Sequence, residues 1–447
     1  MTVPANILNL SAYTVTKIEE TEHDYHINVE TKDPPKTCQN CGSDNLVGFG
    51  RNERLIRDLQ IHGKRVGIYA DTRRYQCRSC NKTFYERLPN VDGKRMMTSR
   101  LVEWVGKQSV KRPFSHIAEE IGINEMTVKN VFNDYINELE KTVRFETPQW
   151  MGIDEIHIIK KPRCVVSNIE HNTVVNVLRD RNKKTVIDYL SKLKGRELVK
   201  CVTMDMWEPY KDAVRVVMPK STIVIDKFHV VRMANVCLET VRKDIRSGLT
   251  VKQRRGLMHD RFVLLKRESK LEGLDRISLE SWTKNYPALG AAYRAKEDFF
   301  AIYDALETQE AVDLFRQWEA GLDEEIKDAF YPLTRAVNNW MPEIMAYFEH
   351  PVTNAYMESL NNLIRVMNRL GRGYSFEALR AKILFTEGVA KIKKPKFQRP
   401  VREESSLAYN CFTSFSKMGP SIIPEERELN FGADISTLVR MIEEGII

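Results

Sequence analysis

Two short knuckles, Cys38-x-x-Cys41 and Cys77-x-x-Cys80, constrain this chain more than any other feature, because four thiolates that grip one ion must meet at a point although 35 residues separate the pairs. A two-residue spacing lets each pair hold one edge of a tetrahedron, which is the geometry of structural zinc, and the intervening chain has to leave and return. It carries the pattern for doing so. Arg54 to Ile61 and Arg65 to Tyr75 read as strands on either side of the turn His62-Gly63-Lys64, and residues 12 to 30 alternate across a charged turn as a further hairpin. The spacing therefore predicts a β-rich zinc ribbon with one Zn²⁺ on Cys38, Cys41, Cys77 and Cys80. Eight cysteines in 447 residues are too few for a disulfide framework, and Cys164, Cys201, Cys237 and Cys411 read as packing residues.

After Pro89 the period becomes helical. Ser99 to Val110, Pro113 to Ile121 and Asn124 to Leu139 are expected helices. Ala118, Gly122 and Val128 stand where a helix-turn-helix needs a small residue at the crossing, a glycine in the turn and a branched apolar lock on the second helix. That helix would present Asn124, Glu125, Thr127, Lys129, Asn130 and Asn133 to a major groove; a three-helix packing unit without nucleic acid is the plainer alternative. Charge favours the first. Between Arg51 and Arg112 sixteen Lys and Arg stand against six Asp and Glu, whereas the whole chain carries only +8. Such a block suits phosphate neutralisation, and Arg73, Arg74 and Arg78 are expected to supply phosphate contacts.

Strands return at residues 150–159, 164–169 and 173–179, then a helix at 183–193, a strand at 199–205, a helix at 209–217 and a strand at 222–226. This β-β-β-α-β-α-β order predicts a ribonuclease-H-like sheet. Two of its segments bring aspartates to strand ends, Asp154 and Asp205. From Phe228 to about His350 the pattern is helical without strand-like alternation, which reads as an inserted all-α domain. Beyond it, Glu358 lies on a helix with an apolar stripe of Leu360, Leu363, Ile364 and Met367 and a polar face of Asn354, Glu358, Asn361, Asn362, Arg365 and Arg369. Two strand carboxylates and a helix carboxylate suit a pair of magnesium ions, since hard cations take oxygen ligands and phosphodiester displacement uses a metal on each reacting oxygen. Asn361, Asn362, Arg365 and Arg369 would position the DNA backbone. Asp226 and His229 either orient the metal carboxylates or mark the entry to the insertion. Trp207 and Trp340 read as core residues or as base-stacking groups.

The fold class expected is thus α/β and multidomain. Residues 1–90 form a β-hairpin and zinc ribbon, 91–147 a helix-turn-helix, 148–230 and 351–400 the two parts of the ribonuclease-H-like domain, 231–350 its all-α insertion and 401–447 a tail. No stretch approaches the ~18 apolar residues of a membrane span and no signal peptide is evident, so a cytoplasmic protein is expected.

Nearly end to end, the chain resembles the bacterial insertion-sequence transposases of the ISL-three family. The matching stretches are Cys38 to Cys41, Arg73-Arg74-Tyr75-Gln76-Cys77-Arg78-Ser79-Cys80, Gly152-Ile153-Asp154-Glu155, Met204-Asp205-Met206-Trp207-Glu208-Pro209-Tyr210, Ile225-Asp226-Lys227-Phe228-His229-Val230-Val231, Glu358-Ser359-Leu360-Asn361-Asn362 and Gly373-Tyr374. Ser359 and Leu360 depart mildly from the Gly and short residue of many relatives. The resemblance implies a DDE enzyme with Asp154, Asp205 and Glu358 as its acids and two Mg²⁺. It also implies binding of terminal inverted repeats, cleavage and strand transfer, a homodimer on double-stranded element ends and target, and a nucleoid-associated location. A DNA-binding regulator whose acids are dispensable, or a structure-specific nuclease that never joins ends, are the rival classes.

Overall fold

The computed structural model describes residues 10–143, 145–352 and 355–388. The readings made of Asn354, Cys411, the basic stretch Lys391 to Arg402 and the tail 401–447 lie outside the described residues. The chain forms two compact units, Met1–Phe145 with Ile364–Thr386, and Glu146–Leu363 with Glu387–Ile447.

The first unit opens with β1 (Tyr13–Glu20), β2 (Asp24–Thr31), β3 (Leu46–Ile61) and β4 (Lys64–Cys77), followed by β5 (Thr83–Tyr85), β6 (Val91–Asp92) and β7 (Met97–Thr98). Their sheet order is β1-β2-β4-β3-β7-β6, with β5 on β4. The β3–β4 hairpin is longer than the sequence suggests, since β3 starts at Leu46 and passes an irregularity between Gly48 and Arg51. Its turn has His62 and Gly63 both at positive φ, which is what a two-residue hairpin loop demands. Alternation then buries Ile27 and Val29 of β2 and Val66, Ile68 and Ala70 of β4 on one face, with Ile56 of β3.

Three helices follow, α1 (Ser99–Lys111), α2 (Phe114–Ile121) and α3 (Glu125–Thr142). Thr98 caps α1 by accepting from the Leu101 N–H and Asn124 caps α3 by accepting from that of Met126. Gly122 ends α2 in the left-handed conformation at φ 75°, where a Cβ is disfavoured. Val128 is wholly buried and Ala118 nearly so, where helix-turn-helix packing requires them.

The second unit begins with β8 (Trp150–Ile158), β9 (Lys161–Asn168), β10 (Thr173–Val177), α4 (Lys183–Leu190), β11 (Cys201–Met204), α5 (Glu208–Val217) and β12 (Thr222–Ile225). The sheet order is β10-β9-β8-β11-β12, antiparallel through the first three strands and parallel through β8, β11 and β12. Cys164, Cys201 and Cys237 are buried. Next come α6 (Lys227–Arg246), α7 (Val251–His259), α8 (Arg261–Leu265), α9 (Leu274–Asn285), α10 (Pro287–Ile302), α11 (Thr308–Ala320), α12 (Lys327–Asn339) and α13 (Met341–Met345). Among the described residues no strand interrupts them. Buried Glu343 of α13 pairs with Lys211 at 2.9 Å and Arg215 at 2.7 Å, both on α5, so this end of the helical region is tied to the sheet's own helix by a carboxylate between two cations.

The last described elements are α14 (Ala355–Leu370) and α15 (Phe376–Glu387). Here the packing divides the chain differently from the expected segments. Residues 364–386, expected within the second catalytic segment 351–400, group with the N-terminal unit, because Ala378 and Ala381 of α15 join the core of α1, α2 and α3. Lys382, buried beside Phe114, Phe132 and Tyr374, donates to the carbonyls of Ser109 and Arg112 at the end of α1. No helix among the described residues is long and apolar enough to cross a membrane.

Candidate functional site

The sheet register sets three aspartates on one level. Ile153 of β8 pairs with Met204 of β11, and Met204 pairs with Ile225 of β12, so the next residues along these parallel strands are Asp154, Asp205 and Asp226. Asp205 and Asp226 lie just past their strands. Asp154 does not: β8 continues to Ile158 against β9, and Asp154 sits mid-strand opposite Val165. Its parallel partner ends first, which is why a residue inside a strand comes to lie at the edge of the β11 ladder.

Each acid is held locally. Asp154 Oδ1 accepts the N–H of Glu155 at 2.7 Å, and Asp205 Oδ1 that of Met206 at 2.6 Å. Across the fold, Asn361 of α14 donates its amide to Asp154 Oδ2 at 2.8 Å, and His229 Nδ1 lies 3.5 Å from Asp205 Oδ1. Glu358 stands one helical turn before Asn361, so the hydrogen bond that orients Asp154 also fixes the turn carrying the third acid. Burial pushes Asp154 up to about 6; the Glu155 N–H, His229 and Asn361 pull it back down, and Asp205 adds to the rise. A half-buried acid with this penalty, beside further carboxylate oxygens, fits a hard divalent cation.

Asp226 is buried and caps α6, accepting from the Phe228 N–H at 3.2 Å. Its carboxylate also raises the hydroxyls of Tyr303 and Tyr347, both already raised by burial, so it faces aromatic residues of the helical region. His229, read with Asp226 as orienting the acids or marking the entry to the insertion, reaches an oxygen of Asp205.

Several expected DNA contacts are placed differently. Asn361, expected to position the DNA backbone, is 5% exposed and donates to Asp154. The buried line of α14 is Met357, Leu360, Asn361 and Ile364, while Leu363, expected in the stripe, is exposed. Asn362, Arg365 and Arg369 are exposed. Arg73 is half-buried, with its guanidinium 3.2 Å from the Thr31 carbonyl and 3.8 Å from Glu86, so it serves the sheet's interior. Arg74 lies over the Phe49 and Tyr85 rings, and Arg78 is exposed. Asn130 and Asn133 of α3 are exposed; Thr127 and Lys129 are partly so.

In the ribbon, Cys38 and Cys80 sulfurs are 3.8 Å apart and those of Cys41 and Cys77 3.6 Å, with all four within 4.8 Å of one another. Zinc–sulfur bonds of about 2.3 Å in a tetrahedron place sulfurs roughly 3.8 Å apart, so the four fit zinc. The Cys80 and Ser79 N–H groups point at Cys77 and bring its thiol down to about 6, the thiolate a metal needs. Among the described residues this is the only group of three or more such ligands gathered so tightly. Asp154 and Asp205 are instead brought level by their strands, and Asn361 ties the helix of Glu358 to Asp154.

Comparison with known proteins adds three matches. A family model for the DDE domain of ISL3 elements, described as a transposase, matches residues 151–383. The zinc-finger of transposase IS204/IS1001/IS1096/IS1165 matches residues 34–80, and the helix-turn-helix domain of transposase family ISL3 matches 86–136. The chain is also 22% identical over 344 residues to the transposase for insertion sequence element IS1001 of Bordetella parapertussis, covering 75% of this chain and 85% of that protein.

Proposed function

The chain belongs to transposase family ISL3, and on that premise we propose that it binds the terminal inverted repeats of its element and cuts and joins DNA with magnesium at Asp154, Asp205 and Glu358. The observation that carries this reading is the Asn361 bridge. It links the helix of Glu358 to Asp154, whose strand neighbour in register is Asp205. The strand order of the second unit supports a ribonuclease-H-like fold for the catalytic region, with the all-α region inserted after β12.

Asp154, Asp205 and Glu358 would hold two magnesium ions, which would supply Lewis-acid stabilisation for phosphodiester exchange. Asn361 keeps one Asp154 oxygen turned toward the helix, and the Glu155 N–H fixes the other. His229 lies beside Asp205, its Nδ1 3.5 Å from Oδ1. No side chain needs to become covalently attached to DNA. One structural Zn²⁺ holds the ribbon on Cys38, Cys41, Cys77 and Cys80. The recognition face of α3, with Thr127, Lys129, Asn130 and Asn133, reads the repeat, and two copies of the chain act together on the paired ends.

The test is direct. Purified protein incubated with labelled element ends and Mg²⁺ should give both nicked and joined products. Asp154→Ala, Asp205→Ala or Glu358→Ala should lower both by at least about 10³-fold while end binding stays near wild type. Transposition that survives Asp154→Ala would establish the regulator reading, and nicks without joined products the structure-specific nuclease.

A further inference from the structure

Beside the acids lies a surface that the cleavage chemistry does not use. Trp207 follows Asp205 by two residues and stands at the N-cap of α5, and it is 37% exposed, the only one of the six tryptophans that is exposed to such a degree. The others pack against neighbours: Trp282 donates to Asp260, Trp318 donates to the Ala295 carbonyl, and Trp340 is buried under Lys211. An indole is costly to leave in water, so an exposed one at a reaction centre calls for a ligand.

Trp207 is also not a loose side chain. The guanidinium of Arg181, from the loop between β10 and α4, lies 4.3 Å from the ring centroid. Arg181 is in turn ion-paired with Glu155, the neighbour of Asp154. One rigid chain of contacts thus runs from the residue after Asp154, through Arg181, to the residue two past Asp205. It braces one face of the indole and leaves aromatic surface to solvent between the two strand acids' flanks.

We propose that Trp207, braced by Arg181, is a stacking platform for a nucleobase that has left the duplex next to the phosphate being cut. The chemistry of the surface selects this ligand. A flat aromatic face binds a base face, and a base offers that face to a side chain only when it is unstacked from at least one neighbour. The guanidinium that backs the ring also places a cation among several carboxylates, where an approaching phosphodiester would otherwise meet only negative charge. The platform makes end opening part of the reaction: stacking on Trp207 offsets the loss of pairing at the junction. This rests on the cleavage reading above, whose acids it flanks.

The experiment compares single-turnover cleavage of two element-end duplexes, one fully paired and one with mismatches placed at the cleavage junction. Wild-type protein should cut both. Trp207→Ala should cut the paired duplex roughly 10- to 100-fold more slowly, the range expected for loss of one base stack, and recover most of that loss on the mismatched one. Trp207→Phe, which keeps a ring, should stay within about threefold of wild type on both. Equal rates for Trp207→Ala and wild type on the paired duplex would overturn the platform, and so would a defect of the same size on both duplexes, the mark of a merely structural role. A wild-type protein that cuts neither duplex overturns the cleavage reading itself, and the platform with it. An active wild type with an indifferent Trp207→Ala removes the platform alone.

Discussion

Asp154 shows how one half-buried carboxyl ties folding to metal chemistry. An aspartate in the unfolded chain ionises near 3.9, whereas burial moves this one up to about 6. The folded state therefore holds its proton more tightly. Below pH 4 the group is neutral in both states and costs nothing; between pH 4 and 6 ionisation increasingly favours the unfolded chain, and above 6 the cost is constant at up to ~2–3 kcal/mol, reduced by the solvent that reaches a partly exposed group. Asp154→Asn should accordingly raise the Tm of metal-free protein at pH 7.5 by a few degrees, with the gain shrinking toward zero near pH 4.5. Mg²⁺ should raise the Tm of wild type and leave Asp154→Asn almost unchanged. Parallel melting profiles for the two proteins across that pH range would remove the burial argument. A second residue-scale outcome concerns Cys77, whose thiolate is favoured by the knuckle's own N–H groups. Cys77→Ser should reduce zinc from one ion per chain to none by elemental analysis and abolish protection of the β3–β4 hairpin from proteolysis, because so small a ribbon lacks a core that holds without metal.

Elements decide which of these residues could be foreseen. Helices α1 to α3 announce themselves by caps, by Gly122 and by a 3.6-residue period, and they form within a few residues of where the sequence puts them. The strands around Asp154 and Asp205 are equally visible, yet the reason Asp154 reaches the sheet's edge is not: it depends on where β11 stops, a non-local pairing. On α14 the periodicity misleads. Asn361 lies on the buried line between Met357 and Ile364 because a polar partner, Asp154, waits there, and Leu363 takes the exposed place. No property of an isolated helix distinguishes a buried asparagine with a distant acceptor from a solvated one. The same holds for Lys382, which reads as an ordinary surface lysine in α15 and instead closes the open carbonyls at the end of α1. Lys382→Met keeps the length and the packing but leaves those carbonyls unsatisfied. It should destabilise the N-terminal unit by ~1–3 kcal/mol, seen as a lower urea midpoint for that unit and weaker end binding. An unchanged midpoint would show that water replaces the ammonium.

At the scale of the whole molecule, the residues proposed to read DNA and those proposed to cut it belong to different compact units of one chain. The recognition face of α3 lies in the first unit, while Asp154, Asp205 and Glu358 lie in the second. On the proposed reading both ends of an element are processed together by two chains, and the separation of the two activities permits one chain to hold an end that the other cuts. Among the described residues of the second unit, α7 carries exposed Lys252 and Arg255, a basic surface suited to flanking DNA on the proposed reading. The arrangement is tested by mixing two inactive proteins. One carries Lys129→Glu with Asn130→Ala and cannot read the repeat; the other carries Glu358→Gln and cannot cut. Action in cis leaves every chain in the mixture defective, because the chain on the DNA lacks its acid. Action in trans puts an intact set of acids beside an end held by the partner. With random pairing about half of the dimers are mixed, so cleavage should return to a substantial fraction of the wild-type rate, measured on labelled ends at equal total protein. A mixture that stays inactive, although co-purification of differently tagged chains shows mixed dimers, would establish that each chain cuts the end it reads.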